Sequence, residues 1–162
     1  MIIVGIDPGT ATTGFGVIKK TNKELICMDY GVIKTNAGQD SEKRLRKIYL
    51  DLRKILKKNN PDCLGVENIY FFKNLKTGLP VSEAKGVIML AAAQKKIPLK
   101  QLTPLEVKMG LCGYGKASKK QVQRMVKEIL NLKDLPKPND AADALAVAIC
   151  SSRLIGLDRG NR

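Results

Sequence analysis

Residues 2–18 read IIVGIDPGTATTGFGVI. The run Ile2-Ile3-Val4-Gly5-Ile6-Asp7 is short and apolar and is closed by Pro8-Gly9. That is the pattern of a buried strand entering a tight turn. Gly14-Phe15-Gly16-Val17-Ile18 predicts a second strand, antiparallel to the first. Leu25–Lys34 alternates loosely and extends the meander to a third. A helix is expected over 41–58, with Leu45, Ile48, Leu52 and Ile55 on one face and Asn59-Asn60-Pro61 as its stop. Cys63–Glu67 predicts a fourth, buried strand, followed by a loop over 68–78 around Tyr70-Phe71-Phe72. An Ala-rich helix over 81–95 and a fifth strand over 98–102 come next. Thr103-Pro104-Leu105-Glu106 is a capping box with proline at the first helical position, and Gly113 and Gly115 break the helix it opens. A helix over 118–130 is basic on its outer side, and Asn139 is expected to cap a last helix over 140–154. A meander followed by alternating strands and helices predicts an α/β fold, a five-stranded mixed sheet with helices on both faces. Residues 1–155 are expected to form one domain, with 156–162 as a flexible tail.

Composition narrows the chemistry. The chain has 29 Lys+Arg against 15 Asp+Glu, a formal charge of +14, and no histidine. Without imidazole, Ser-His-Asp and Cys-His nucleophiles are excluded, as are zinc sites that need it. Cys27, Cys63, Cys112 and Cys150 lie far apart and form no CxxC pair. A disulfide framework or metal cage is therefore not expected, and the setting predicted is a reducing cytoplasm. No apolar run reaches membrane-spanning length, so neither secretion nor a membrane is expected. Residues 95–127 hold Lys95, Lys96, Lys100, Lys108, Lys116, Lys119, Lys120, Arg124 and Lys127 against the single acid Glu106. A block that one-sided calls for a polyanion, and nucleic acid fits better than a lipid surface.

The acids tell a complementary story. Asp7 and Glu67 each end a predicted strand, and each has a glycine two residues earlier, Gly5 and Gly65, on the same face. Those glycines leave room for something to approach closely. Asp140 and Asp143 are spaced i, i+3 on one face of a small, apolar helix containing Ala141, Ala142, Ala144, Ala146 and Ala148. Acids in a first helical turn also serve the macrodipole, but a helix this small packs closely on a sheet and draws Asp143 toward it. If the helix start meets the strand ends, four carboxylates converge. Two bare charges about 4 Å apart repel by about 4 kcal/mol at an effective dielectric of 20. Such a cluster either protonates or binds hard divalent cations, Mg²⁺ or Mn²⁺. A basic protein that gathers its acids in one place has the signature of a metal-dependent phosphodiesterase. Two ions about 3.5–4 Å apart would stabilise both the attacking and the leaving oxygen.

GIDPGTATTGFGVI at 5–18, VENIYFFKN at 66–74, KASKKQVQRMV at 116–126 and PNDAADALAVA at 138–148 resemble the RuvC family of Holliday-junction resolvases. The blocks recur in the family's order across essentially the whole chain. The resemblance implies a ribonuclease H-like fold, a homodimer and nicking of two opposed strands at a four-way DNA junction, leaving 5′-phosphate and 3′-hydroxyl ends. It implies two Mg²⁺ per subunit, with Mn²⁺ as a substitute, held by Asp7, Glu67, Asp140 and Asp143 as the catalytic acids. It places Lys108 and Lys119 on phosphate and Tyr70 on an unpaired base, where stacking is worth about 1–3 kcal/mol. Lys116, Lys120 and Arg124 lie in the same basic stretch and are expected to bind DNA without taking part in the chemistry. The family's branch-migration complex, RuvA–RuvB, is the implied protein partner.

Three alternatives share parts of this pattern. YqgF-type nucleases acting on RNA open on a similar GIDPGT, and the Asp140-Ala-Ala-Asp143 pair separates them from the junction enzymes. Actin-like sugar kinases grip phosphate with a turn like Asp7-Pro8-Gly9-Thr10 but need a second domain that 162 residues do not accommodate. A non-catalytic basic DNA-binding module would have no use for four converging acids.

Overall fold

The computed structural model describes residues 1–68 and 75–158. Five strands form one sheet: β1 (Ile2–Asp7), β2 (Thr12–Lys20), β3 (Leu25–Lys34), β4 (Cys63–Glu67) and β5 (Leu99–Leu102). Their order is β3-β2-β1-β4-β5. The meander β1–β2–β3 is antiparallel, whereas β4 and β5 add parallel to β1 and to each other. The apolar run that opens the chain therefore becomes the central strand, and Ile3, Val4 and Ile6 are fully buried. The parallel pair β1 and β4 ends at one edge of the sheet, with Asp7 and Glu67 as the last residues of the two strands.

The two faces are covered separately. Helices α1 (Ser41–Asn59) and α2 (Leu75–Gln94) lie on one. Ile48, Leu52, Leu56, Ala84, Ile88 and Ala91 pack there with Val4, Ile6, Leu64 and Val66. Helices α3 (Pro104–Cys112), α4 (Lys119–Ile129) and α5 (Asn139–Asp158) cover the other. Val107, Leu111, Val122, Val126, Leu145 and Ile149 meet Ile3 and Ile18 in that layer. All four cysteines are free, and burial pushes the thiols of Cys63 and Cys150 up to about 11. Among the described residues, no helix is long and apolar enough to cross a membrane.

Three boundaries differ from the sequence expectation. Helix α2 begins at Leu75, not at 81, and runs through Pro80. Pro80 is the sixth residue of α2, so its missing N–H leaves one carbonyl of the first turn without its helical partner. Helix α5 continues to Asp158, so the first residues of the expected tail are helical. Asn139 does not cap α5. The carbonyl of Pro138 accepts from the backbone N–H groups of Ala141 and Ala142, at 3.1 and 3.2 Å. The Asn139 side chain instead accepts from Gln123 Nε2 at 2.9 Å, which ties α5 to α4.

Helix α5 approaches the sheet along a band of glycines. Gly16, Gly5 and Gly65 are in register on β2, β1 and β4. A methyl group at Gly5 would stand 2.1 Å from the carbonyl oxygen of Ala144 and 2.5 Å from the nitrogen of Ala148. One at Gly14, which pairs with Asp7, would stand 2.0 Å from the carbonyl oxygen of Asp140. At Gly65 the obstacle is Ser151 Oγ, at 2.1 Å. Bare backbone thus faces a helix of alanines, and the room left by the two glycines before the acids is taken by α5 itself. Because the obstacles at Gly5 and Gly14 are backbone atoms, neither partner can rotate out of the way there. Gly5→Ala is expected to destabilise the protein by at least about 1–3 kcal/mol. The same substitution at Gly86, where a methyl meets nothing within 4 Å, should leave the melting temperature unchanged or raise it. Thermal melts of the two variants beside the parent chain check the contrast.

Candidate active site

Asp7 and Glu67 reach the same sheet edge because β1 and β4 are parallel neighbours, with Ile6 paired to Val66. Asp140 and Asp143 arrive from the first turns of α5, brought there by the contact of Asp140 with Gly14. One carboxylate oxygen from each of Asp7, Asp140 and Asp143 lies within 4.8 Å of the other two. Glu67 stands beside this triangle and joins it through a hydrogen bond with the Asp7 carboxyl. The four acids singled out in the sequence are therefore together, three as a tight group and the fourth through Asp7.

The cost of this gathering falls on Asp7. Its carboxyl is pushed from 3.8 up to about 8, first by burial and then by the charges of Glu67, Asp143 and Asp140. A carboxyl raised that far favours its protonated form, and the bond to Asp7 lowers Glu67. Glu67 is itself raised, by burial and by the nearby Asp143, while Lys119, the bond to Asp7 and Lys108 pull the other way. An oxygen-only donor set with no histidine or cysteine suits a hard cation such as Mg²⁺ or Mn²⁺. The strain on Asp7 is what such a charge would relieve.

Two cations already face the acids. Lys119 Nζ lies 2.7 Å from Asp143 Oδ2, and that bond raises the lysine's pKa. Lys108 lines the same cleft, a space of about 250 Å³ bounded also by Glu67, Lys119, Asp143, Val122 and Ala146. Local structure holds both lysines. Thr103 and Glu106 form the expected capping box at the start of α3, which carries Lys108. Ser118 and Gln121 form a second box at the start of α4, with Lys119 as the first helical residue. A lysine there opposes the helix dipole, and Asp143 offsets the conflict. Lys116, in the connection before α4, and Lys120 and Arg124, on α4, are exposed. Tyr70 lies outside the described residues.

Two features escaped the sequence reading. The Ser118-x-x-Gln121 pattern is a legible capping signal that went unused. The Lys85–Asn68 hydrogen bond, 2.5 Å from Nζ to Oδ1, joins residues with no motif between them.

The comparisons with known proteins agree with this geometry. The crossover junction endodeoxyribonuclease RuvC profile matches residues 3–151. The chain belongs to the RuvC family. It is 48% identical to the crossover junction endodeoxyribonuclease RuvC of Natranaerobius thermophilus, over 94% of this chain and 95% of that one. The RuvC of Halothermothrix orenii is 46% identical over 98% of this chain and 96% of its own. Among solved structures, Thermus thermophilus RuvC in complex with a Holliday junction substrate superposes with a TM-score of 0.92 at 30% identity, over 98% of this chain and 96% of that one. The five-stranded mixed sheet is thus the ribonuclease H-like fold of this family.

The raised Asp7 carboxyl sets a stability trend. The folded chain keeps a proton that the unfolded chain releases near 3.8, so without metal it loses stability as pH rises from about 4 to about 8. Asp7→Asn removes that term. In chelator the variant should melt above the parent chain, with a gap that widens from pH 5 to pH 8. Melting curves at several pH values measure the gap, and millimolar Mg²⁺ should narrow it by stabilising only the parent.

Proposed function

We propose that this RuvC-family chain is a Mg²⁺-dependent endodeoxyribonuclease that resolves four-way DNA junctions by paired nicks in two opposed strands. The observation that carries the reading is the convergence of Asp7, Asp140 and Asp143 within 4.8 Å in a chain of net charge +14. A non-catalytic binding module gains nothing from a carboxyl pushed to about 8. The Asp140–Asp143 pair on α5, set against Asp7, favours the junction enzymes over the YqgF-type nucleases that act on RNA. The junction as substrate is supported by the RuvC relatives, one of them solved with a Holliday junction.

In this reading Asp7, Glu67, Asp140 and Asp143 are the catalytic acids and hold two Mg²⁺ per subunit, with Mn²⁺ able to substitute. Divalent ions in such a site supply a water nucleophile at neutral pH and stabilise the charge developing on the leaving 3′-oxygen. The chain's own residues do the rest. Asp7 gives up its proton when positive charge enters the site. Glu67 and Asp143 keep their places at the cleft wall, and α5, fixed on the glycine band, keeps Asp140 and Asp143 from drifting apart. Lys108 and Lys119 steady the scissile phosphate from the α3–α4 side. Lys119 exchanges Asp143 for that phosphate. Lys116, Lys120 and Arg124 lie farther out and add affinity that falls with salt and carries no base code. Tyr70 would stack on an unpaired base at the crossover.

The same reading makes the protein a homodimer, since a two-fold assembly presents two sites to two strands. Helix α2 supports this, with Leu79 67% and Leu90 53% exposed. Gly86 on the same helix has open space beside it and no packing demand from its own chain. A single nuclease domain continues through α5, and a role in recombination and repair in the cytoplasm follows from the substrate. A branch-migration partner, RuvA–RuvB, rests on the family resemblance.

The test is a synthetic four-way junction beside a linear duplex of matching sequence, with Mg²⁺ and with chelator. Metal-dependent, paired cleavage of the junction alone is expected. Asp7→Asn should lower cleavage by at least about a thousandfold, the scale of losing an essential catalytic group, with junction affinity within a few-fold of the parent. Loss of binding together with cleavage would make Asp7 a structural residue. Leu90→Glu should shift the protein to a monomer in analytical ultracentrifugation and abolish coordinated nicking of the second strand.

A further inference from the structure

Lys85 sits on α2, next to the fully buried Ala84, on the sheet face opposite α3, α4 and α5. Its ammonium is half-buried, and burial lowers its pKa. Its partner is a neutral group, the side-chain oxygen of Asn68, at 2.5 Å. Other lysines with short side-chain partners, Lys43, Lys47, Lys54, Lys58 and Lys119, lie on carboxylates. Lys85 has no carboxylate partner among the described residues. The neighbouring acid on its helix, Glu83, accepts instead from Ser41 Oγ, at 3.3 Å. A partly desolvated cation held only by an amide dipole is under-compensated and gains from an anion.

Its place in the fold says which anion. Asn68 directly follows Glu67, and its backbone N–H donates to the carbonyl oxygen of Leu102 at 2.6 Å. Lys85 is therefore pinned beside the strand end that carries a catalytic acid, but from the other side of the sheet. Lys108 and Lys119 reach the acids from the α3–α4 side. A DNA strand drawn across the ends of β1 and β4 would pass between Lys108 and Lys119 on that side and Lys85 on the α2 side.

We infer that Lys85 is a phosphate-contacting residue for the substrate strand, on the α2 side of Glu67, held by Asn68 until DNA arrives. This rests on the reading of the cleft as a DNA nuclease site. Its chemistry is that of a backbone phosphate, without base specificity. The bond to Asn68 holds the ammonium in one place, so less rotamer freedom is lost when the phosphate binds.

The experiment measures junction affinity over a salt series for the full-length protein, with chelator present so that no cleavage intervenes. The parent chain, Lys85→Gln, Lys85→Arg and Asn68→Ala are compared, with thermal melts of each. Lys85→Gln should reduce the slope of log affinity against log salt by about 0.9 per subunit. Lys85→Arg should restore it. Asn68→Ala removes the amide but leaves the ammonium, so its slope should equal that of the parent. An unchanged slope for Lys85→Gln in a protein that melts normally overturns the proposal. So does a slope in Asn68→Ala reduced as much as in Lys85→Gln, which would make the lysine a brace for Asn68. If Lys85→Gln melts too low to assay, an unchanged slope in the acetyl-lysine form, which keeps the side-chain length and removes the charge, is decisive against it. The parent arm tests the broader reading separately, since a parent chain that does not prefer the junction to duplex refutes the nuclease assignment whatever Lys85 does.

Discussion

The close contact between α5 and the sheet governs everything else in this molecule. Helices ordinarily rest on a sheet through side chains that fill the gap between the layers. Here Gly5, Gly14 and Gly65 provide no side chain; at Gly5 and Gly14 the backbone of α5 meets the backbone of the sheet, and at Gly65 the small side chain of Ser151 fills the space. The contact fixes the height of the helix and also its position along its own axis. The carbonyl of Asp140 has one place to go, over Gly14, and Gly14 is paired with Asp7. A helix resting on larger side chains could slide or tilt with modest repacking; this one meets hard backbone atoms if it moves inward. The rigidity needed to hold carboxylates against their own repulsion comes from that absence of side chains.

The repulsion is real, and the surrounding charge answers it only partly. Two carboxylates about 4 Å apart cost about 4 kcal/mol at an effective dielectric of 20. Solvent screens the exposed part of the chain's net charge of +14. Close relief comes from Lys119, bonded to Asp143, and from the proton that Asp7 retains. Both are replaceable. A proton leaves when stronger positive charge enters, and a half-exposed lysine on the first turn of a helix can turn to another anion. The site thus resembles a closed circuit of its own charges, in which the Asp7 proton and the Lys119 ammonium offset the neighbouring carboxylates.

Much of this was legible in the residues. The five strands followed from apolar runs and turns, and the acids from their positions at strand and helix ends, because alternation and helical periodicity dictate direction as well as burial. Gly5 and Gly65 announced a close approach two residues before each acid. The small residues of α5 announced which helix would make it. What the residues did not reveal has common physical causes. The start of α2 at Leu75 was hidden because Pro80 inside a helix runs against the usual cost of proline there. Asn139 looked like a cap because its competing partner, Gln123, sits on another helix. The end of α5 was hidden because nothing in Leu154-Ile155-Gly156 marks a stop strong enough to oppose the packing of the turns before it. The Lys85–Asn68 bond depends on how α2 crosses β4, a fact of tertiary geometry with no local signature.

The acids and the cations are carried by different parts of the fold, and that separation has consequences. Asp7, Glu67, Asp140 and Asp143 stand on two central strands and the helix locked against them. Lys108 and Lys119 stand on α3 and α4, two short helices whose starts are set by side-chain capping boxes. Capping boxes contribute about 1 kcal/mol each, against the larger energies of the buried layer beneath α5. Val107 and Leu111 of α3 and Val122 and Val126 of α4 are buried in that same layer, so packing as well as capping fixes both helices. In the proposed function a phosphate entering the cleft would be met by the lysine side chains, while α5 on the glycine band keeps the acids in place. The bond between Gln123 and Asn139 limits how far α4 can move, because it anchors that helix next to the first turn of α5. In the proposed nuclease, chemistry that tolerates little error in distance would fall to the acids on the sheet and α5, and recognition of a branched polyanion to the long lysine side chains on α3 and α4.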